Sequence, residues 1–214
     1  MSAVGRLVRI PVAGGMEAEG ALAVPAGAQG VVLFAHGSGS SRHSPRNRFV
    51  AEALNAAGFA TLLLDLLTPE EDADIERRFD IGLLAARLLL ASRWLAAEPI
   101  IGNLKLDYFG ASTGAAAALV AAAALGEAVA AVVSRGGRPD LAGSNHLKQV
   151  RAPTLLIVGS LDYGVIELNR EAFAHLACRK EMVLVPGATH LFEEPGTLEQ
   201  AAEHAIRWFR QYLD

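Results

Sequence analysis

Two short stretches, Val31-Val-Leu-Phe-Ala35 and Phe59–Leu64, are apolar almost without interruption. Runs of five or six such residues with no polar alternation suit strands buried on both faces, because a half-exposed strand would alternate. Further strand-like runs follow at Leu104–Phe109, Val129–Ser134, Thr154–Val158 and, more briefly, Met182–Val185. Between them lie segments of helical character: Phe49–Ala57, Phe79–Ala97, the alanine-rich stretch after Gly114, Val165–Ala177 and Leu198–Leu213. Strands alternating with helices specify an α/β protein, a mostly parallel twisted sheet with helices on both faces. The amino-terminal residues Met1–Leu7 alternate like a strand. Arg6–Val12 and Glu19–Val24, separated around Gly14-Gly15, read as an antiparallel hairpin at one sheet edge. The 214 residues show no internal repeat or linker and are read as one domain spanning 1–214.

In a sheet of this kind, functional loops gather at the carboxyl ends of the strands. That places His36–Ser40, Asp65–Asp74, Gly110–Gly114, Arg135–Asp140, Asp162 and His190 along one rim. Gly110-Ala111-Ser112-Thr113-Gly114 matches G-x-S-x-G at a strand-to-helix turn, the pattern of a nucleophile elbow. A five-residue match of this composition arises by chance in roughly one such chain in ten, so the decision rests on its partners.

A serine hydroxyl is a weak nucleophile and needs a base, with a third group to orient that base. In this architecture the chain order is serine, acid, histidine. Of the histidines after Ser112, His175 and His204 fall inside helical stretches and His146 sits in a polar connection. His190 follows a strand and a Pro-Gly turn near the end of the chain, where the base belongs. Asp162, just beyond the strand Thr154–Val158, is the leading acid, with Asp140 as its rival; Glu193 and Glu194 suit the start of the last helix. An oxyanion hole requires two N–H donors. Thr113 supplies one, and His36-Gly-Ser-Gly39 supplies the other, through Ser38 in preference to Gly37. A phosphate-cradling use of those glycines is weaker, because neither G-x-G-x-x-G nor G-x-x-x-x-G-K-[ST] occurs.

Composition narrows the partners. The net charge of −4 gives no reason to expect nucleic acid or an anionic membrane, and no apolar run reaches the length of a membrane span. A single cysteine, Cys178, excludes an intramolecular disulfide and a cysteine zinc site; no metal or cofactor is implied. Together with the lack of a signal-peptide pattern, this points to the cytoplasm. The expected partner is a small-molecule ester. Arg42, Arg46, Arg48, Arg135 and Arg138 lie near the rim, where Arg135, Arg138 and Gly37 are candidates for binding substrate and the arginines for attracting an anionic group. Pairing of these arginines with Glu70–Asp74 and Asp140 is the competing use. Nineteen residues, 135–153, separate two rim strands, too few for an independent cap domain, which leaves Thr68–Asp74 as the remaining cover.

The combination His36-Gly-Ser-Gly39, Gly110-Ala-Ser-Thr-Gly114, Asp162 and His190 resembles the α/β-hydrolase superfamily. The compact length is similar to its dienelactone-hydrolase-like branch. His36–Arg48 and Ser134-Arg-Gly-Gly-Arg-Pro-Asp-Leu141 are similar to small bacterial hydrolases also found fused to phosphoribosyltransferase domains. Dienelactone hydrolases proper carry cysteine at the elbow, and Ser112 departs from that pattern. The resemblance therefore implies a serine carboxylesterase with the triad Ser112, Asp162 and His190. Thioester or amide hydrolysis, acyl transfer with the same triad, and a non-catalytic binding protein are the alternatives.

Overall fold

The computed structural model describes residues 5–12 and 15–213. Gly14 of the expected hairpin turn, and Met1–Val4 of the expected first strand, lie outside them. Eight strands form one sheet: β1 (Arg6–Pro11), β2 (Glu17–Ala23), β3 (Gly30–Ala35), β4 (Phe59–Leu64), β5 (Lys105–Ala111), β6 (Val129–Arg135), β7 (Thr154–Gly159) and β8 (Lys180–Val185). Their order is β1-β2-β4-β3-β5-β6-β7-β8. The pairs from β4 through β3 to β8 are parallel, and the amino-terminal hairpin β1–β2 joins antiparallel against β4. The chain winds one way from β3 to β4 and the other way from β3 to β5. Such a reversal leaves a crevice at the carboxyl ends of the two strands, the place where ligands bind in open α/β sheets.

The side-chain period of two divides each strand between two cores. On β5, Tyr108 points into a layer with helices α4 (Ile81–Ala97) and α5 (Thr113–Leu125). Phe109 points into the opposite layer, against α1 (Pro45–Ala56) and α8 (Thr197–Arg210). Every residue of β3, β4 and β7 is buried, which accounts for their unbroken apolar sequences. The Tyr108 hydroxyl shares a 2.6 Å hydrogen bond with Ser92 Oγ, so the polar tip of the ring is satisfied inside the core and ties α4 to β5. Trp208 and Phe209 of α8 are buried against the sheet. Among the described residues, no helix is long and apolar enough to cross a membrane.

Several boundaries differ from the sequence reading for local reasons. α1 begins four residues before Phe49, because Ser44 caps it through the Asn47 N–H and Pro45 fits the first helical position. The acidic stretch Thr68–Asp74 is not an extended loop. Thr68 and Glu71 form a capping box that opens α2 (Pro69–Asp72), and α3 (Ile75–Arg78) follows. Glu71 is buried and paired with buried Arg87 at 2.6 Å, which pins this segment to α4. The expected polar connection around His146 is helical, α6 (Gly143–Gln149), with the His146 ring on the Ala142 carbonyl at 2.9 Å.

One core position works against stability. Asp107 on β5 is buried, and among the described residues neither carboxylate oxygen makes a hydrogen bond of good geometry. Burial pushes its carboxyl well above the usual range, opposed only in part by the nearby Ala131 amide and Lys105. The neutral form is therefore preferred in the folded state, and stability falls as pH rises above the ordinary carboxylate range toward the raised value. Asp107→Asn is expected to flatten that slope, measured by urea unfolding as a function of pH.

Candidate active site

The elbow is strained where the sequence pattern requires it. Ser112, between β5 and α5, has φ 50° and ψ −124°. A non-glycine residue with positive φ is uncommon and persists only where its surroundings over-determine it. Two glycines do so here. A Cβ on Gly110 would lie 2.4 Å from Ala115 Cα, and one on Gly114 would lie 2.2 Å from the Ala35 carbonyl oxygen. Their absence lets β5 and α5 close tightly and brings the carboxyl end of β3 against the start of α5.

From β3 the chain enters His36-Gly37-Ser38-Gly39. The Gly37 backbone lies against the serine, where an added Cβ would sit 2.8 Å from Ser112 Cβ. His36 is buried and bridges two loops: Nδ1 donates to the Gly37 carbonyl at 2.9 Å, and Nε2 accepts the Leu66 N–H at 3.0 Å. Those roles require the neutral ring, and burial lowers its pKa in the same sense. The Ser38 N–H, expected to face an oxyanion, donates to Thr113 Oγ1 at 2.9 Å. The Thr113 N–H, at the first position of α5, has no intrahelical acceptor.

The histidine arrives from the other side. After β8 the segment 186–190 lies across the end of β7, where a Cβ on Gly159 would come within 2.4 Å of the Ala188 carbonyl oxygen. Leu161 N–H donates to that carbonyl at 3.0 Å. Glu194 fastens the same loop by accepting from Thr189 N–H and Oγ1 at 3.0 and 2.6 Å, instead of serving the helix behind it. His190 Nδ1 then meets Asp162 Oδ2 at 2.7 Å. Asp162 occupies the N-cap position of α7 (Tyr163–His175) without capping it through its side chain; its carboxylate turns to the imidazole. Asp140, the rival acid, is held by Arg138 in a two-pronged pair of 2.9 and 2.7 Å.

Ser112 and His190 both line a cleft of about 180 Å³, with Gly37, Ser38, Arg46 and Arg135 among the other walls. Arg138, expected to bind substrate, is not in that lining, because its guanidinium is committed to Asp140. Arg42 is likewise taken up, by Asp65 and Glu19. No residue from the α2–α3 segment lines the cleft. Asp72 and Arg78 pack instead behind the loop His36–Gly39, so the expected cover buttresses that loop. A larger apolar hollow, about 270 Å³ and lined by Val31, Leu95, Ile101 and Leu106, contains none of Ser112, Asp162 and His190.

The sequence reading missed three contributors to the site. Phe192 has φ 55° and is buried, with its ring 5.7 Å from the Arg135 guanidinium. Asn47 accepts from Arg135 Nη2 at 3.2 Å. Glu194 anchors the histidine loop. Only Asn47 had a local signal, the Ser44-Pro45 helix start that places it in the first turn of α1.

The comparisons agree with this architecture. A dienelactone hydrolase from Anabaena variabilis, solved as a crystal structure, is 55% identical, covers 100% of both chains and superposes with a TM-score of 0.94. The chain belongs to the dienelactone hydrolase family. Est1E from Butyrivibrio proteoclasticus, at 15% identity with 97% and 98% of the two chains covered and a TM-score of 0.81, shares the fold. Proteins from two strains of Mycobacterium tuberculosis, named as phosphoribosyl transferases, are 60% identical over 202 residues, 94% of this chain. The chain spans 45% of their length. No protein-family model matches the chain. Within the dienelactone hydrolase family, this chain carries serine at its elbow.

Proposed function

We propose that this member of the dienelactone hydrolase family is a serine carboxylesterase acting on small esters through an acyl-enzyme. Ser112 Oγ attacks the ester carbonyl while its proton passes to His190 Nε2. Asp162 holds the Nδ1–H and balances the charge of the imidazolium. The tetrahedral oxyanion is stabilised by the Thr113 N–H and by the Ser38 N–H, which exchanges Thr113 Oγ1 for the new charge. Collapse expels the alkoxide, which takes the proton from His190. Water then attacks the acyl group, giving its proton to His190, and the carboxylic acid leaves as Ser112 is restored. Phosphoribosyl transfer, the activity named for the M. tuberculosis proteins, belongs on this reading to the portion of them that this chain does not span.

The observation that carries the proposal is the 2.7 Å pair of His190 and Asp162 at a cleft whose floor is the strained Ser112. A fluorophosphonate probe tests it. The wild-type protein is expected to gain one covalent adduct, mapped by mass spectrometry to the peptide containing Ser112, and to lose turnover of a short-chain nitrophenyl ester in parallel. An adduct elsewhere, or full turnover after labelling, refutes the assignment.

A further inference from the structure

Arg135 is 7% exposed, and its Nε and Nη1 have no hydrogen-bond partner. Among the described residues its guanidinium donates to a neutral group, Asn47, in the first turn of α1. Burial, and in smaller part the positive charge of nearby Arg46, push the Arg135 guanidinium down to about 10. Among the described residues Arg46 pairs with the exposed Glu193 at 3.3 Å, a contact of little strength. Both arginines line the cleft of Ser112, and no aspartate or glutamate among the described residues does so. The rest of that wall is rich in hydroxyls, Ser38, Ser40 and Ser44, and Ser44 is the N-cap of the 12-residue helix α1. A buried guanidinium with idle donors and no carboxylate partner, near a second one that pairs only with an exposed glutamate, is costly unless an anion meets it.

We infer that the cleft is built to take an ester carrying a phosphate group, held by Arg135, Arg46 and the wall serines while Ser112 attacks the ester carbonyl. A planar carboxylate saturates one guanidinium fork. Two guanidinium groups and several hydroxyls offer donors in three dimensions, which matches the three free oxygens of a phosphate monoester. The inference rests on the esterase reading for the reaction; the anion subsite itself does not depend on turnover.

The test compares acetyl esters of pentanol, of 5-hydroxypentanoate and of 3-hydroxypropyl phosphate, in each of which the terminal carbon or phosphorus is the fifth atom beyond the ester oxygen. The phosphate ester is expected to exceed the neutral ester in kcat/KM by at least about tenfold. That ratio is expected to fall toward one in Arg46→Ala and Arg135→Gln, and Arg135→Lys guards against loss of fold at the buried site. Inorganic phosphate, titrated calorimetrically, should bind the wild type and bind Arg46→Ala at least about tenfold more weakly. A wild-type ratio near one, or a ratio unchanged in the variants, overturns the inference. A carboxylate ester that equals or exceeds the phosphate ester overturns the phosphate assignment. Should no ester be turned over and Ser112 resist the fluorophosphonate, the esterase reading falls, and the phosphate titration alone then decides the subsite.

Discussion

Ser112→Ala is expected to lower kcat for a short-chain ester by about 10⁴-fold or more, with KM changed far less, in steady-state assays of the purified variant. The side chain makes no capping bond to α5, and the positive φ at position 112 is imposed by Gly110 and Gly114, so the elbow has no structural need of the hydroxyl. The loss is therefore chemical: the nucleophile is gone while the cleft, the base and the oxyanion donors stay in place. Activity within tenfold of wild type would mean that water, activated by His190 alone, performs the hydrolysis.

Asp162→Asn is expected to lower kcat by about 10³–10⁴-fold. An amide at that position presents either an N–H or a neutral oxygen to His190 Nδ1, so it favours the wrong tautomer or leaves the imidazolium without a counter-charge. Thermal stability should change little, because the Asp162 carboxylate does not cap α7. Asp140→Asn supplies the contrast: it loosens Arg138, outside the cleft, and kcat should stay within a few-fold of wild type. If the two substitutions exchanged effects, the acid would be Asp140, and the 2.7 Å contact of Asp162 would be incidental.

The two acids show where sequence reading reaches its limit. Both follow rim strands, and both have bland uses in turns. Chain order and strand position brought the choice down to two residues; their separation depends on Gly159, which lets the His190 loop cross the end of β7, and on Arg138, which engages Asp140. The arginines divide in the same way. Arg135 and Arg138 are three residues apart in one Arg-Gly-Gly-Arg run, yet one is buried in the cleft wall and the other reaches out to an aspartate. Gly136, at φ 51°, turns the chain between them, and a pattern of residue types does not say which way it turns. The capping box at Thr68 and Glu71 was legible and would have replaced the loop reading with a helix start.

By itself, then, the sequence determined what short-range physics controls. Unbroken apolar runs require strands covered on both faces, and helical periods between them require a parallel sheet. Two glycines around a serine at a strand-to-helix turn suggest an elbow, and an acid and a histidine in the right chain order support it. Tertiary structure decided what depends on groups far apart in the chain: the meeting of Asp162 with His190, the engagement of the Ser38 N–H by Thr113, and the burial of Arg135 against Phe192 and Asn47 without an acidic partner. These are facts of distance and dielectric, set by how the sheet twists and where its loops land. That is why Ser112 could be proposed as nucleophile from the order of residues along the chain, while the charge proposed for its substrate rests on the folded cleft.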